Sequence, residues 1–304
     1  MKIEDGIDEY MTSKSNSLTA KTLRWYTYHL KRFALWCKEN DVQDLPLITA
    51  SHVQRATTDY HTDNSYSKHG YTQVIKGFLN WCAQDEDTGV KERTVRRIEM
   101  PKVEQSDIEI LSDQEILKLL KTCEKMPLPY RSKALITILL DTGARVSELC
   151  YDSARPQEQT GLLLEHVNLI GDSYIWIMGK GRRSRTLGIG EETRKSLKSY
   201  LNRERPKHGD YFFLARDGEP LGIRMLEQFI TDLGSLSGIS PCYPHRFRHT
   251  FAVNQLLAGT SDIVLMRLMG HTTLESTKIY MRGLTQLQAR QSAPSIIDNL
   301  KKKH

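Results

Sequence analysis

Two stretches of the first hundred residues, Thr19–Asn40 and Ser65–Gln84, repeat apolar residues at three- and four-residue steps. That spacing is typical of amphipathic helices with one buried face. The apolar stripe of the first stretch consists of Leu23, Tyr26, Leu30, Phe33 and Cys37. The stripe of the second consists of Val74, Ile75, Phe78, Leu79 and Cys82. The pattern predicts that residues 1–100 form a small all-helical domain.

A polar segment without periodicity, residues 101–107, follows this domain and contains Pro101. We interpret it as a linker to a second domain, residues 108–304. Ser112 and Glu115 have the spacing of a capping box, which predicts the start of a helix. Farther on, the apolar stretch Arg131–Leu149 predicts a buried helix that breaks near Gly143 and then resumes.

Two short β-strands are predicted in the second domain, Tyr174–Met178 and Arg185–Ile189, on either side of the turn Gly179-Lys180-Gly181. From Glu191 onward the pattern predicts helices separated by glycine- and proline-marked turns. The expected fold class is therefore mainly α with a small β-hairpin or sheet, organised in two domains.

Charge and cysteine content restrict the class of protein. The formal net charge is +6, from 43 basic and 37 acidic residues. Residues 1–105 hold 15 of each, so the whole excess lies in residues 106–304, with 28 basic and 22 acidic residues. Such an excess is compatible with nucleic acid binding without demonstrating it. The acidic start lacks the apolar run of a signal peptide, and the five scattered cysteines favour a reducing cytoplasm.

Three short motifs carry candidate chemistry: TGARVSEL with Arg145, PHRFRHT with His245 and Arg248, and LMGH with His271 followed by Tyr280. Each is weak alone. Arg145 has a structural alternative in pairing with Glu148 one turn later, and Tyr280 alone would more often be a packed side chain. The four-residue spacing of His245 and His249 would also suit a metal, but no carboxylate cluster accompanies it, so no metal or other cofactor is expected.

Together, two arginines, a lysine, two histidines and a tyrosine are suited to phosphoryl transfer without a metal. Guanidinium groups bind the nonbridging oxygens of a phosphodiester bidentately and keep their charge. A lysine can protonate the leaving oxygen. A tyrosine hydroxyl can act as the nucleophile if a base or a positive field activates it.

In this order and spacing, the motifs resemble those of the tyrosine recombinase, or phage integrase, family of the Xer and lambda-integrase type. The resemblance spans nearly the whole chain and implies a SAM-like core-binding domain over residues 1–100, which clamps DNA, and a catalytic domain over residues 108–304. It implies that Arg145 and Arg248 bind the phosphate, Lys180 acts as general acid, and His245 acts in acid–base chemistry. His271 would hydrogen-bond the phosphate, and Tyr280 would be the nucleophile.

The resemblance further implies site-specific recombination through a 3′-phosphotyrosyl intermediate, by a tetramer on two double-stranded DNA sites, with accessory DNA-bending factors among the possible partners. Integration, excision, transposition and resolution stay open. So do a type IB topoisomerase-like relaxing enzyme and a catalytically silent DNA-binding regulator. Whether the segment after Tyr280 packs in cis or on a neighbouring subunit is equally open. Candidate DNA contacts are Lys21, Arg24, Lys31, Lys68, Lys76 and Arg182. For those in Thr19–Asn40 a merely solvated face is the alternative, and Lys68 and Lys76 could face outward from the second stretch.

Overall fold

Helices account for most of the chain and group into two units, Met1–Ser106 and Asp107–His304. The computed structural model describes residues 1–103, 108–155, 160–179 and 184–281. The division between the units falls within the segment that the sequence predicts as a linker. Across the described ranges, no helix combines the length and apolar character that a membrane crossing needs.

The first unit consists of helices packed around one apolar core. These are α1 Ile3–Lys14, α2 Ala20–Glu39, α3 Ala50–Thr58, α4 Ser65–Cys82 and α5 Glu92–Arg96. The two helices predicted from periodicity, α2 and α4, are confirmed, and both have a side-chain cap, from Thr19 and Asn64 respectively. All five predicted apolar residues of α4 are buried, whereas Leu23 and Tyr26 of α2 are only half-buried.

The first helix, α1, was not predicted. Its segment is dominated by polar residues, and only Ile3, Ile7 and Tyr10 supply a four- and three-residue apolar spacing. These three side chains are buried in the core of the first unit. Tertiary packing of a few apolar residues therefore stabilises a helix whose composition alone gives a weak signal.

The second unit is a helical domain with one small sheet. Its helices are α6 Asp113–Thr122, α7 Pro129–Thr142, α8 Val146–Leu149, α9 Glu191–Arg203, α10 Ile223–Ser237, α11 Pro244–Leu257, α12 Asp262–Met269 and α13 Glu275–Met281. The predicted capping box of Ser112 and Glu115 begins α6, and the predicted break lies between α7 and α8 at Gly143. Most of α7 is buried, because it packs against α9 on one side and α11 on another.

The sheet contains β1 Val167–Asn168, β2 Tyr174–Met178 and β3 Ser184–Gly188, all antiparallel and in that order. The predicted hairpin is β2 and β3, with Tyr174 opposite Gly188 and Met178 opposite Ser184. β1 was not predicted, because two residues are too short for an alternating pattern. The fold class expected from the sequence, mainly α with a small sheet, is confirmed.

The segment that leads into α6 is attached to α11. The backbone N–H of Leu111 donates a hydrogen bond of 2.8 Å to Thr250 Oγ1. The guanidinium of Arg246 donates to the carbonyl of Ile110 at 3.0 Å and to Glu115 Oε1 at 2.8 Å. Ile108 and Ile110 pack against a small apolar cluster of the second unit.

Candidate active site

The turn after α7 places Arg145. Gly143 ends the helix with a positive φ of 57°, and a side chain at this position would collide with the ring of Phe251. Arg145 then begins α8 in an extended conformation, and its backbone N–H donates to Glu148 Oε2 at 2.7 Å. The guanidinium of Arg145 remains one-third exposed. The glycine turn therefore brings an arginine from the buried core to the surface of the unit.

The carboxylate of Glu148 is buried, with only 2% of its side chain exposed, between two guanidinium groups. Arg145 Nη1 donates to its Oε1 at 3.1 Å. Arg185, on β3, donates to both oxygens, at 2.8 and 2.9 Å. Burial by itself raises the pKa of Glu148, but the hydrogen bonds and charges of the two arginines outweigh it and lower the pKa below its ordinary value.

The carboxyl end of α12 accepts hydrogen bonds from three arginines. Consecutive carbonyls of Leu268, Met269 and Gly270 accept from Arg185, Arg248 and Arg145 respectively. The last carbonyls of a helix have no partner within the helix, and the helix dipole makes this end negative. Three cationic side chains from β3, α11 and the start of α8 are thus gathered at one helix end.

Arg248 is almost fully buried and occupies the centre of this group. It donates to the carbonyls of Gly143 and Met269, and its Nη2 lies 3.1 Å from His271 Nε2. Burial, and then the charge of Arg145, lower the pKa of Arg248 to about 10. The guanidinium therefore remains protonated at neutral pH.

The contact with Arg248 determines the tautomer of His271. A guanidinium only donates, so Nε2 of His271 must accept and carries no proton. The proton then resides on Nδ1, which lies 2.9 Å from the hydroxyl of Thr277. Burial and the charges of nearby arginines, Arg248 foremost, lower the pKa of His271 to about 4. His271 is therefore neutral at pH 7 and orients Arg248 in this structure.

Tyr280, on α13, packs beside these residues and is 3% exposed. Its ring is nearly parallel to that of His271, with 5.9 Å between centroids, and lies 5.5 Å from that of His249. Its other neighbours form an apolar cluster of α11 and α12 side chains: Phe251, Ala252, Val253, Leu265 and Met269. The tyrosine and the buried arginine are therefore neighbours within one chain, joined through His271.

Two histidines of α11, His245 and His249, lie beside Arg248 and Tyr280. Pro244 occupies the first turn of α11, and His245 is exposed one turn before Arg248. Although His245 is exposed, partial desolvation by the protein atoms around its ring, followed by the charges of Arg248 and Arg145, lowers its pKa. His249 is half-buried, and burial, followed by the charge of His245, lowers its pKa to about 4.

The structure places some of the predicted catalytic residues together, and others lie outside the described residues. The structure brings Arg145, Arg248, His271 and Tyr280 together and places His245 beside them; their catalytic roles stay predictions. Lys180 and Arg182 lie outside the described residues, as do the residues after Met281 that were considered for packing in cis or on a neighbour.

Among the candidate DNA contacts of the first unit, Lys21, Arg24 and Lys31 are exposed on α2, and Lys68 of α4 is half-buried. Lys76, which by sequence could face outward, is half-buried, and its ammonium donates to the carbonyl of Ile98 at 2.8 Å. Its charge is therefore engaged inside the unit.

The place of Arg185 in this site was missed, since Arg185 was named only as the first residue of a predicted strand. The signal was its position on β3, where alternation places it on the same face as the buried Leu187. A charged residue on the inward face of a strand requires a partner of opposite charge.

A family model described as the phage integrase family matches residues 109–286, more than half of the chain. The chain belongs to the phage integrase family. Among curated relatives of this integrase chain is the tyrosine recombinase XerD of Staphylococcus saprophyticus, 26% identical over 285 residues, which cover 90% of this chain and 92% of the relative. The predicted enzyme class, a tyrosine site-specific recombinase, is confirmed.

Solved structures share the fold of this recombinase. A XerH site-specific recombinase bound to its difH substrate is 19% identical with a TM-score of 0.71, covering 96% of this chain and 84% of that one. The Tn1549 transposon integrase in complex with a circular intermediate DNA is 15% identical with a TM-score of 0.74, covering 100% of both chains. The fold is therefore shared with solved structures at 15–19% sequence identity.

The lowered histidine pKa values predict that the protein loses stability in acid. His249 and His271 each have a pKa of about 4 in the folded state, against 6.5 for a free histidine. Between these values the unfolded chain binds more protons, so stability is complete above about pH 6.5 and falls as the pH drops toward 4. We expect the Tm to decline over this window in thermal denaturation, and to decline less steeply in His271→Gln. An equal slope in both proteins would contradict the assignment.

Neutralising Glu148 is expected to destabilise the second unit strongly. Glu148→Gln removes the only anion that the structure shows against Arg185 among the described residues, and breaking a buried ion pair costs about 3–5 kcal/mol. Urea denaturation of the two proteins measures this loss. The matched control is Glu191→Gln, which removes an exposed pair with Arg194 and should leave the midpoint unchanged. Equal midpoints for Glu148→Gln and wild type would exclude the proposed importance of the pair.

Proposed function

We propose that this recombinase cleaves and rejoins DNA at the site formed by Arg145, Arg248, His271 and Tyr280, with Tyr280 as the nucleophile. The observation that carries the proposal is the chain of contacts from the Tyr280 ring through His271 to the buried guanidinium of Arg248, with Arg145 on the adjacent carbonyl of Gly270. A phenol beside two clustered guanidinium groups has what is needed to attack a phosphodiester.

In this proposal, the Tyr280 hydroxyl oxygen attacks the scissile phosphorus while the bond from phosphorus to the 5′-oxygen breaks. The products are a 3′-phosphotyrosine and a free 5′-hydroxyl. Arg145 and Arg248 bind the nonbridging oxygens, whose charge grows in the transition state. The 5′-hydroxyl of another strand then attacks the phosphotyrosine and releases Tyr280, so the phosphodiester bond is conserved.

Protons must move in both steps. His245, neutral at pH 7 because its pKa is lowered, is available to accept the proton of the Tyr280 hydroxyl. Lys180 is proposed to protonate the leaving 5′-oxygen, as the resemblance of the hairpin sequence implies. His271, in turn, is proposed to exchange its contact with Arg248 for the phosphate when DNA binds.

We extend the proposal to DNA binding by both units. The exposed basic residues of α2, Lys21, Arg24 and Lys31, are suited to contact phosphates, and the exposed rings of Trp25 and Tyr28 lie among them. Because such contacts release counterions, binding should weaken steeply with salt. The structural relatives that are described as bound to DNA support double-stranded DNA as the substrate.

A tetramer on two DNA sites, accessory DNA-bending factors and a cytoplasmic location complete the proposal. The cytoplasmic location is supported by the cysteines, of which all five are free and four are buried. Transposition, integration, excision and resolution share this chemistry.

The test is covalent capture of DNA. Wild-type protein is incubated with a library of double-stranded DNA that has a randomised central region, and molecules that stay attached in denaturing detergent are sequenced. A target duplex from this selection is then nicked beside the cleavage position to trap the intermediate. Mass spectrometry of the digested adduct should find the phosphodiester on Tyr280. An adduct on another residue, or DNA binding without any adduct, would contradict the proposal.

The same target separates the recombinase from the two other candidates. Exchange of strands between two labelled duplexes is expected of a recombinase. Relaxation of supercoiled plasmid without exchange would indicate a topoisomerase-like enzyme, and binding alone would indicate a regulator.

A further inference from the structure

Arg185 contacts two of the elements that hold predicted phosphate ligands. One is α8, which begins at Arg145, and the other is the carboxyl end of α12, which precedes His271. The side chain of Arg185 is 12% exposed and lies on the inward face of β3. Its Nε donates to the carbonyl of Leu268 at 2.6 Å, and its two terminal nitrogens donate to Glu148 at 2.8 and 2.9 Å. One guanidinium thus links β3, α8 and the carboxyl end of α12.

Arg185 and Arg145 share the carboxylate of Glu148 unequally. Arg185 makes the two-pronged contact, whereas the side chain of Arg145 makes a single one, at 3.1 Å. Arg185 is also the less exposed of the two, at 12% against 33%. The less exposed Arg185 therefore neutralises Glu148, and the more exposed Arg145 retains N–H groups that can be directed to a substrate phosphate.

The contact with Leu268 fixes the turn that carries His271. Gly270 adopts a positive φ of 61°, and a side chain there would come within 2.7 Å of Arg185 Nη1. Arg185 therefore lies directly against the backbone of the Gly270–His271 turn. A shift of this guanidinium would move both the carbonyl that holds Arg145 and the histidine that holds Arg248.

We propose that Arg185 is a positioning residue of the cleavage reaction, which holds Glu148 and the carboxyl end of α12 so that Arg145 and His271 point toward the scissile phosphate. The inference rests on the proposed function, because it concerns the same site. Arg185 acts through Arg145 and His271 and does not itself touch the phosphate.

The experiment measures single-turnover adduct formation on the nicked target duplex with wild type, Arg185→Lys and Arg185→Met. Lysine keeps the charge but lacks the planar fork that spans both oxygens of Glu148, so both variants lose the geometry. We expect adduct formation to slow by about 100-fold, since small misplacements of catalytic groups have effects of this size. DNA affinity should change by less than about threefold.

Arg205→Lys is the matched control for loss of stability. Arg205 is buried, and among the described residues its guanidinium donates to backbone carbonyls between Pro206 and Phe212 alone. Thermal denaturation compares the variants. If Arg185 served only to stabilise the fold, then Arg185→Lys and Arg205→Lys, when they lower the Tm equally, should also reduce the rate of adduct formation equally. We expect Arg205→Lys to cleave at nearly the wild-type rate at a temperature where it is folded.

A double-mutant cycle tests the route of action. If Arg185 acts by positioning Arg145, the effect of Arg185→Lys should shrink several-fold in an Arg145→Lys background, because both changes remove the same interaction. Full multiplication of the two effects would overturn the inference. A wild-type rate of adduct formation in Arg185→Lys would also overturn the inference about Arg185, but it would leave the proposed function intact. Absence of any adduct with wild type would overturn both.

Discussion

Replacing Tyr280 with phenylalanine is expected to abolish the covalent adduct with DNA while leaving the fold unchanged. Phenylalanine keeps the ring that stacks on His271 and packs in the apolar cluster of α11 and α12, so the Tm should shift little. It lacks the oxygen that forms the bond to phosphorus, and no residual rate is expected. DNA affinity should remain within about threefold of wild type.

Gel electrophoresis in detergent measures the adduct of Tyr280→Phe, and a binding titration on the same duplex measures its affinity. Tyr243→Phe is the control, because Tyr243 directly precedes α11 and, among the described residues, makes no hydrogen bond or ring contact with Arg145, Arg248, His271 or Tyr280. Adduct formation at the wild-type rate is expected for this variant. A persistent adduct in Tyr280→Phe would place the nucleophile elsewhere.

Arg248→Lys should reduce the rate of cleavage by about 10³- to 10⁵-fold, the range found when an arginine that stabilises a transferring phosphoryl group is lost. The guanidinium contacts two carbonyls and His271 at once, and an ammonium cannot reproduce that planar arrangement. Burial would also lower the pKa of the introduced lysine, so part of the positive charge would be lost.

Single-turnover adduct formation over a range of pH measures the Arg248→Lys effect. If a partly deprotonated lysine contributes to the loss, the variant should recover some activity as the pH falls, until the histidines become protonated. Arg205→Lys again controls for the removal of a buried guanidinium. A rate within tenfold of wild type would exclude Arg248 from transition-state stabilisation.

Much of the site was predictable because glycine and proline residues mark the helix ends next to its functional residues. Gly143 marks the break before Arg145, and Pro244 marks the start of the helix that carries His245 and Arg248. These signals depend only on nearby backbone geometry, so they can be recognised in one sequence.

The missed features depend on contacts between residues far apart in the chain. Arg185 meets Glu148 across 37 positions and Leu268 across 83. Neither the bidentate pairing nor the three carbonyls at the end of α12 has a local signature. The hydrogen bond of Lys76 was not predictable for the same reason, since the carbonyl of Ile98 lies outside the helix that carries Lys76. Periodicity predicts which face of an element is buried, but not which distant group will satisfy a charge there.

The attachment of Ile108–Leu111 to α11 affects how the second unit can be studied separately. A shortened protein that began at Ser112 would keep the capping box of α6. It would lose the carbonyl of Ile110, to which Arg246 donates, and the N–H of Leu111, which donates to Thr250. It would also uncover the apolar cluster in which Tyr280 is packed. An isolated catalytic fragment should therefore begin upstream of Ile108.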